Sequence, residues 1–222
     1  MRAMIRFAKR PRLRFISHLD LQRFFQRAVN RTGLPIAYSQ GFNPHPVMSF
    51  GSALALGWTS DYEIIDLKLS APMGRKRTED AMRAALPEDL LVLEVRMVDD
   101  RHPAPMALVK MADYRVTLTG ESAGAVLAQI PVFLDSASVP AIKKTKSGEK
   151  QIDARPLVVA MEPFEDGFSA RLMLTERDSI KPDLLVSILA DMAGAEAPEA
   201  AIHRLALLGE DAEGQIKPLM EL

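Results

Sequence analysis

Apolar and polar residues alternate at the start of the chain. Ile5 and Phe7 flank Arg6, and Leu13 and Phe15 interleave with Arg12 and Arg14. A period of two predicts a hairpin-like pair of half-buried strands. The period then lengthens: Leu21, Phe24, Phe25, Ala28 and Val29 fall at helical spacing and give one apolar face. Ser17 and Asp20 form a capping box that opens this helix, and Gly33 with Pro35 closes it. LPIAYS predicts a short strand, GFNPHP a loop, and ALALGW and YEIIDLKLS two strands about a turn at Thr59–Asp61. RTEDAMRAAL has the pattern of an amphipathic helix and LLVLEVRMV that of a strand. The order β-α-β-β-α-β is the ferredoxin-like, split βαβ pattern.

DRHPAPM breaks the composition with two prolines and reads as a linker. Beyond it, YRVTLTG, SVPAIKKTKSG, IDARPLVVAMEP, FSARLMLTE and IHRLALLGE predict strands, while SAGAVLAQI and KPDLLVSILADMAG predict helices. The second half repeats the element order of the first without repeating its residues. The expected fold class is therefore α+β: tandem ferredoxin-like (βαββαβ) domains with mainly antiparallel sheets, one over residues 1–104 and one over 105–222.

Composition narrows the function classes. Hydrophobic content of 48% and charged content of 26% are ordinary for a soluble globular chain. No apolar run reaches the ~20 residues of a membrane helix, and MRAMIRFAKRPR carries charge without an apolar stretch, so neither a membrane span nor a secretory leader is expected. The absence of cysteine excludes disulfides, thiolate metal sites, cysteine-held iron–sulfur clusters and a Cys nucleophile, and fits a cytoplasmic setting. No Walker loop, dinucleotide fingerprint, HExxH or nucleophile elbow occurs. No cofactor is expected in this chain.

Charge is polarised. Residues 1–60 hold nine Lys/Arg against the single acid Asp20, leaving 19 basic and 28 acidic residues for the remainder. Such asymmetry points to an anionic partner. Arg23, Arg27 and Arg31 share one helix face at i, i+4 and i+8. Arg12 and Arg14 project together from the predicted strand, so five guanidiniums are candidates for holding RNA phosphates. A solvated helix face is the plainer alternative. His18 at the helix start and His45 between Pro44 and Pro46 are the candidate catalytic pair for acid–base chemistry on RNA. Each also has a structural reading, in capping or in loop hydrogen bonding. Gly41, Asn43, Pro44 and Pro46 prescribe a loop shape. Phe42 reads first as an anchor into the core, with stacking on a base as the alternative, and Tyr38 is a candidate for base stacking. Lys143, Lys144, Lys146 and Lys150 crowd a hairpin tip, a solubilised edge or an extension of the basic surface. Asp153 and Arg155, two apart on a strand, read as a structural pair.

RFISHLDLQRFFQRAVNRTGLPIAYSQGFNPHPVMSFGSALALGWTSDYEIIDLKL resembles the signature of the bacterial radical-SAM-linked domain, a family of unknown function, and IDARPLV resembles a second, weaker pattern of it. The positions that map are His18, Asp20, Gly41, Asn43, Pro44, His45, Pro46, Glu63 and Asp66. Val47 departs from the basic residue expected after the second proline. The resemblance implies a partner, a radical SAM protein to which such domains are fused or beside which they are encoded, and an RNA- or ribosome-related role. The cluster-binding cysteines belong to that partner, so this chain is not itself the radical enzyme.

The leading expectation is thus a non-catalytic RNA-binding or substrate-delivery module acting with a radical SAM enzyme, with RNA as a second partner. The alternatives are a metal-independent RNA-processing enzyme using His18 and His45, and a protein-interaction adaptor for the radical SAM partner.

Overall fold

A computed structural model describes residues 1–145 and 148–222. Lys146 of the predicted lysine cluster lies outside the described residues. The fold is mixed α+β, and within each unit the strands pair antiparallel. Two compact units divide the chain: residues 1–109 with 206–222, and residues 110–205. The last seventeen residues thus belong with the first unit rather than with a domain running from 105 to 222.

The first unit begins with β1 (Arg2–Lys9), α1 (His18–Arg31), β2 (Met48–Phe50), β3 (Thr59–Lys68), α2 (Arg75–Ala85) and β4 (Val92–Val98), followed by a helical turn, α3 (Pro105–Leu108). β1 lies between β4 and β3, and short β2 adds to β3 through Met48–Phe50 against Ile65–Leu67. β1 is buried at all but two of its eight positions, as a central strand under two helices must be. Phe7, Phe25 and Phe50 form the heart of the core, with ring centroids 4.9–6.3 Å apart in tilted and edge-on arrangements. Such pairs add about 0.5–1.5 kcal/mol each beyond simple burial.

α1 shows why its sequence folds as it does. Ser17 Oγ accepts the Asp20 N–H at 3.2 Å and donates to the Asp20 carboxylate at 2.7 Å, so one donor of the open first turn is satisfied. Leu21, Phe25, Ala28 and Val29 turn inward. Gly33 takes φ +66°, the left-handed conformation that ends a helix without a Cβ penalty.

Three expected strands are not strands. The Arg12–Arg14 segment is a tight helical turn, Pro11–Leu13, because Pro11 brings a fixed φ and no N–H to its first position. LPIAYS makes only isolated bridges, Ile36 to Leu69 and Tyr38 to Pro46. ALALGW is irregular, and the strand in this region is instead β2 at Met48–Phe50.

The second unit contains β5 (Met111–Thr119), two short helices, α4 (Ala123–Leu127) and α5 (Ile130–Asp135), the second with Pro131 in its first turn, then β6 (Pro140–Thr145), β7 (Gly148–Asp153), β8 (Val158–Phe164), β9 (Gly167–Met173) and α6 (Pro182–Ala193). β9 lies between β5 and β8, while β6 and β7 form a separate hairpin. Asp153 does not pair with the Arg155 guanidinium. Its carboxylate accepts the backbone N–H groups of Val139 and Arg155, at 2.9 and 3.1 Å. Arg155 reaches the Leu134 and Val158 carbonyls, both at 3.0 Å. The long strand β10 (Glu199–Glu210) carries the chain back to the first unit, where Leu208–Glu210 pair with β11 (Ile216–Pro218).

Candidate functional site

Four of the nine N-terminal cations lie against acids distant in sequence. Arg2 meets Asp66 at 3.1 Å, Arg6 meets Glu94 at 3.6 Å, Arg10 meets Asp61 at 2.9 Å, and Arg12 lies 3.9 Å from Asp89. Lys9 is buried at 1% exposure, its ammonium donating to the Arg14 and Ile16 carbonyls at 3.2 and 3.0 Å. Burial holds the Lys9 pKa below its ordinary value, opposed by the nearby Glu63 carboxylate. The raw count of nine cations against one acid therefore overstates the open field.

What remains exposed is concentrated on α1. Arg23, Arg27 and Arg31 are all exposed, and Leu19, 62% exposed, continues the same i, i+4 row one turn earlier. Arg23 is held loosely by Asp20 at 3.4 Å, with both side chains in solvent. Arg31 donates to the Ala85 carbonyl at the end of α2, at 3.2 Å, where the helix dipole favours a cation. Arg27 has no ion pair or hydrogen bond among the described residues. The five arginines are thus not equivalent. Arg31 is tied to the end of α2, and Arg12 is exposed off the helix with only a distant contact to Asp89, whereas Arg23 and Arg27 present their guanidiniums outward from one helix face.

Aromatic groups stand at both ends of this row. Before the helix, the Arg14 guanidinium lies 4.5 Å over the ring of Phe15, which is 68% exposed. Beside the helix's last turn, Tyr38 donates its hydroxyl proton to Asn30 Oδ1 at 2.6 Å. That bond ties the root of the Ser39–His45 loop to α1, one turn from Arg27. The loop is closed on itself: Ser39 N–H donates to the His45 carbonyl at 2.9 Å, and His45 N–H returns to Ser39 Oγ at 3.1 Å. Gly41 supplies φ +126°, a conformation that side-chain-bearing residues rarely adopt. Pro46 is buried and bridged to Tyr38, while Asn43 and Pro44 lie in solvent.

Phe42 corrects the expectation of a core anchor, for its ring is fully exposed at the loop tip. A seven-residue loop closed at its neck has no interior of its own in which to bury a phenyl ring.

The two histidines occupy different settings. His18, half-buried, packs edge-on against Phe50 with centroids 5.1 Å apart. Burial lowers its pKa below 6.5, and the Lys9 ammonium pushes the same way. His45 is exposed, its Nδ1 3.0 Å from Ser39 Oγ. Each ring is engaged by its own partner rather than by the other. Asp66 is buried beside Arg2, and burial raises its pKa against the pull of that arginine. Among the described residues no group of three or more His, Asp or Glu side chains is arranged to hold a metal ion.

The exposed Phe15, Leu19 and Phe42 are not legible in the sequence as surface groups, because apolar character signals burial first. One cue is present: Phe42 lies between Gly41 and Asn43 in a segment with no periodicity to assign it an inward face.

Among the described residues no helix is long and apolar enough to cross a membrane. No curated protein matches the chain. A bacterial family model described as "Uncharacterized protein conserved in bacteria (DUF2344)" matches residues 2–182, and since that spans most of the sequence, the chain belongs to this family.

Proposed function

We propose that the chain is a non-catalytic RNA-binding module that presents its RNA to a radical SAM enzyme. The observation that carries the binding half is the outward row Arg23–Arg27 on α1, with Phe15 exposed just before the helix and Phe42 exposed on the loop whose root Tyr38 ties to α1. Guanidiniums on successive turns rise about 6 Å apart along a helix and suit backbone phosphates. Exposed aromatic rings suit unstacked bases, each worth about 1–3 kcal/mol by alanine substitution. A duplex would not use the aromatic tips, so a single-stranded or looped RNA is the favoured form. The delivery half rests on the sequence resemblance to radical-SAM-linked domains. The first unit's β-α-β-β-α-β order supports a ferredoxin-like reading of that unit.

The test is binding of a single-stranded RNA oligonucleotide across a salt series. Affinity should fall steeply with salt. Arg23→Ala/Arg27→Ala should reduce the log–log slope by roughly 1.4, at about 0.7 for each phosphate no longer neutralised. Absence of RNA retention at low salt sinks the reading.

A further inference from the structure

The second unit holds a cleft of about 900 Å³ between β6 and α6. One wall is the continuous run Val139–Lys144, and the other is a face of α6 on which an apolar row, Leu184, Ile188 and Met192, runs beside a polar one, Asp183, Ser187 and Asp191. A strand shows side chains of both parities to one space only when its backbone edge borders that space. The hydrogen-bond phase gives the same answer. β6 pairs with β7 alone among the described residues. Ala154 N–H donates to the Val139 carbonyl at 2.8 Å, so Val139, Ala141 and Lys143 bond across to β7. The alternate residues Ile142 and Lys144 then turn their N–H and C=O groups away from β7.

An open edge beside the Leu184–Ile188–Met192 row fits the addition of an extended peptide strand, with main-chain bonds supplying affinity and pockets reading alternate side chains. The charge of the cleft selects the peptide. The two walls differ in sign: the strand carries Lys143 and Lys144, with Lys181 at the start of α6 and Lys150 opposite Lys143 in register, whereas Asp183 and Asp191 lie on the α6 wall, so an added strand has the lysines of β6 as its immediate neighbours. Lys143 is fixed there, its ammonium donating to the Ser179 carbonyl and Oγ at 2.7 and 2.8 Å. Burial lowers its pKa, the neighbouring Lys150 and Lys181 lower it further, and Asp178 opposes them.

We propose that this cleft docks an extended acidic segment of a partner protein, added to β6 as a further strand. Its acidic side chains face the lysines, and its apolar ones lie on Leu184, Ile188 and Met192. Lysines also guard strand edges against unwanted pairing, but a guard has no use for Ile142, which is 58% exposed on the same strand. Nucleic acid fits less well. The cleft floor is aliphatic and offers no ring for stacking, and a strand edge presents carbonyls to phosphates as readily as N–H groups.

The test uses the full chain and a fluorescent hexapeptide of alternating valine and aspartate, about the length of β6 at ~20 Å. Saturable binding is expected, weakened at least about tenfold when lysine replaces aspartate in the peptide or in the double variant Lys144→Glu/Lys181→Glu, the loss of about 1.4 kcal/mol. Backbone N-methylation of one alternate set of peptide residues should abolish binding, and methylation of the other set should not. Ile142→Pro removes an outward N–H and should also abolish it. The proposal is overturned if the peptide fails to bind at millimolar concentration, if both methylated peptides bind alike, if the lysine peptide binds equally, or if single-stranded RNA displaces the probe from this cleft.

Discussion

Ser39 Oγ lies 3.0 Å from His45 Nδ1 and accepts the backbone N–H of the same residue at 3.1 Å. One hydroxyl thus holds both the main chain and the ring of His45 and shuts the neck of the loop that carries Phe42. Ser39→Ala removes these bonds while leaving the Ser39 N–H to His45 carbonyl bond in place. The expected cost to global stability is small, about 0.5–1.5 kcal/mol. The loop itself should open, seen as faster amide exchange at residues 40–45 and earlier proteolytic nicking there. If the loop shapes the RNA surface, affinity falls in the same variant, and Phe42→Ala lowers it without changing the melting temperature.

Arg27 and Arg31 differ in what they touch, and their alanine variants should differ accordingly. Arg27 makes no ion pair or hydrogen bond among the described residues, so Arg27→Ala should leave stability within about 0.5 kcal/mol of wild type while weakening RNA binding. Arg31 donates to the Ala85 carbonyl at the end of α2. Arg31→Ala should destabilise by about 0.5–1 kcal/mol and affect RNA binding less. Thermal melts and a salt-series titration on both variants separate the two roles, and equal effects in both assays would contradict this division.

The contrast shows how far the sequence carries. α1 is legible in full, because Leu21, Phe25, Ala28 and Val29 repeat at a helical period over three turns and Ser17 and Gly33 bound them. The Arg12–Arg14 segment is not, since alternation over so few residues cannot outweigh Pro11 at the first position of a tight turn. The charge surplus is real as a count, yet Arg10 and Arg12 meet Asp61 and Asp89 from far along the chain, pairings that a linear tally does not contain. Phe42 escapes the sequence because hydrophobicity reports a tendency to bury, not the absence of anywhere to be buried. The open edge of β6 is invisible for another reason: a sequence shows that a segment is a strand, not that nothing pairs with its far side.

The half-buried His18 gives a pH prediction with a definite sign. Its folded pKa is below 6.5, first through burial and then through Lys9, so the unfolded chain takes up the proton more readily. Stability is therefore full above pH 6.5 and falls as pH drops from there toward the folded pKa. His102, lowered by its own burial and by Arg96 and Arg2, acts in the same direction. An NMR titration should place the His18 midpoint below 6.5, and His18→Gln should flatten the loss of stability between that value and the folded midpoint. A His18 midpoint above 6.5 would overturn the assignment.

Lys9 provides the most severe test of how the basic segment is built. Its ammonium is buried and joins the end of β1 to the chain entering α1, through the carbonyls of Arg14 and Ile16. It acts as an internal strut rather than as part of a phosphate-binding surface. Lys9→Met keeps the length and apolar stem of the side chain but removes the ammonium that bonds both carbonyls. It should cost about 2–4 kcal/mol, or roughly 5–10 °C in the melting temperature for a chain of this size. Arg14 and Phe15 hang from the same segment, so their stacked pair should become more mobile and RNA affinity should drop with it. Adding Arg27→Ala to Lys9→Met then distinguishes the two contributions. The stability losses should be set by Lys9 alone, while the salt slope of RNA binding should still flatten when Arg27 is removed.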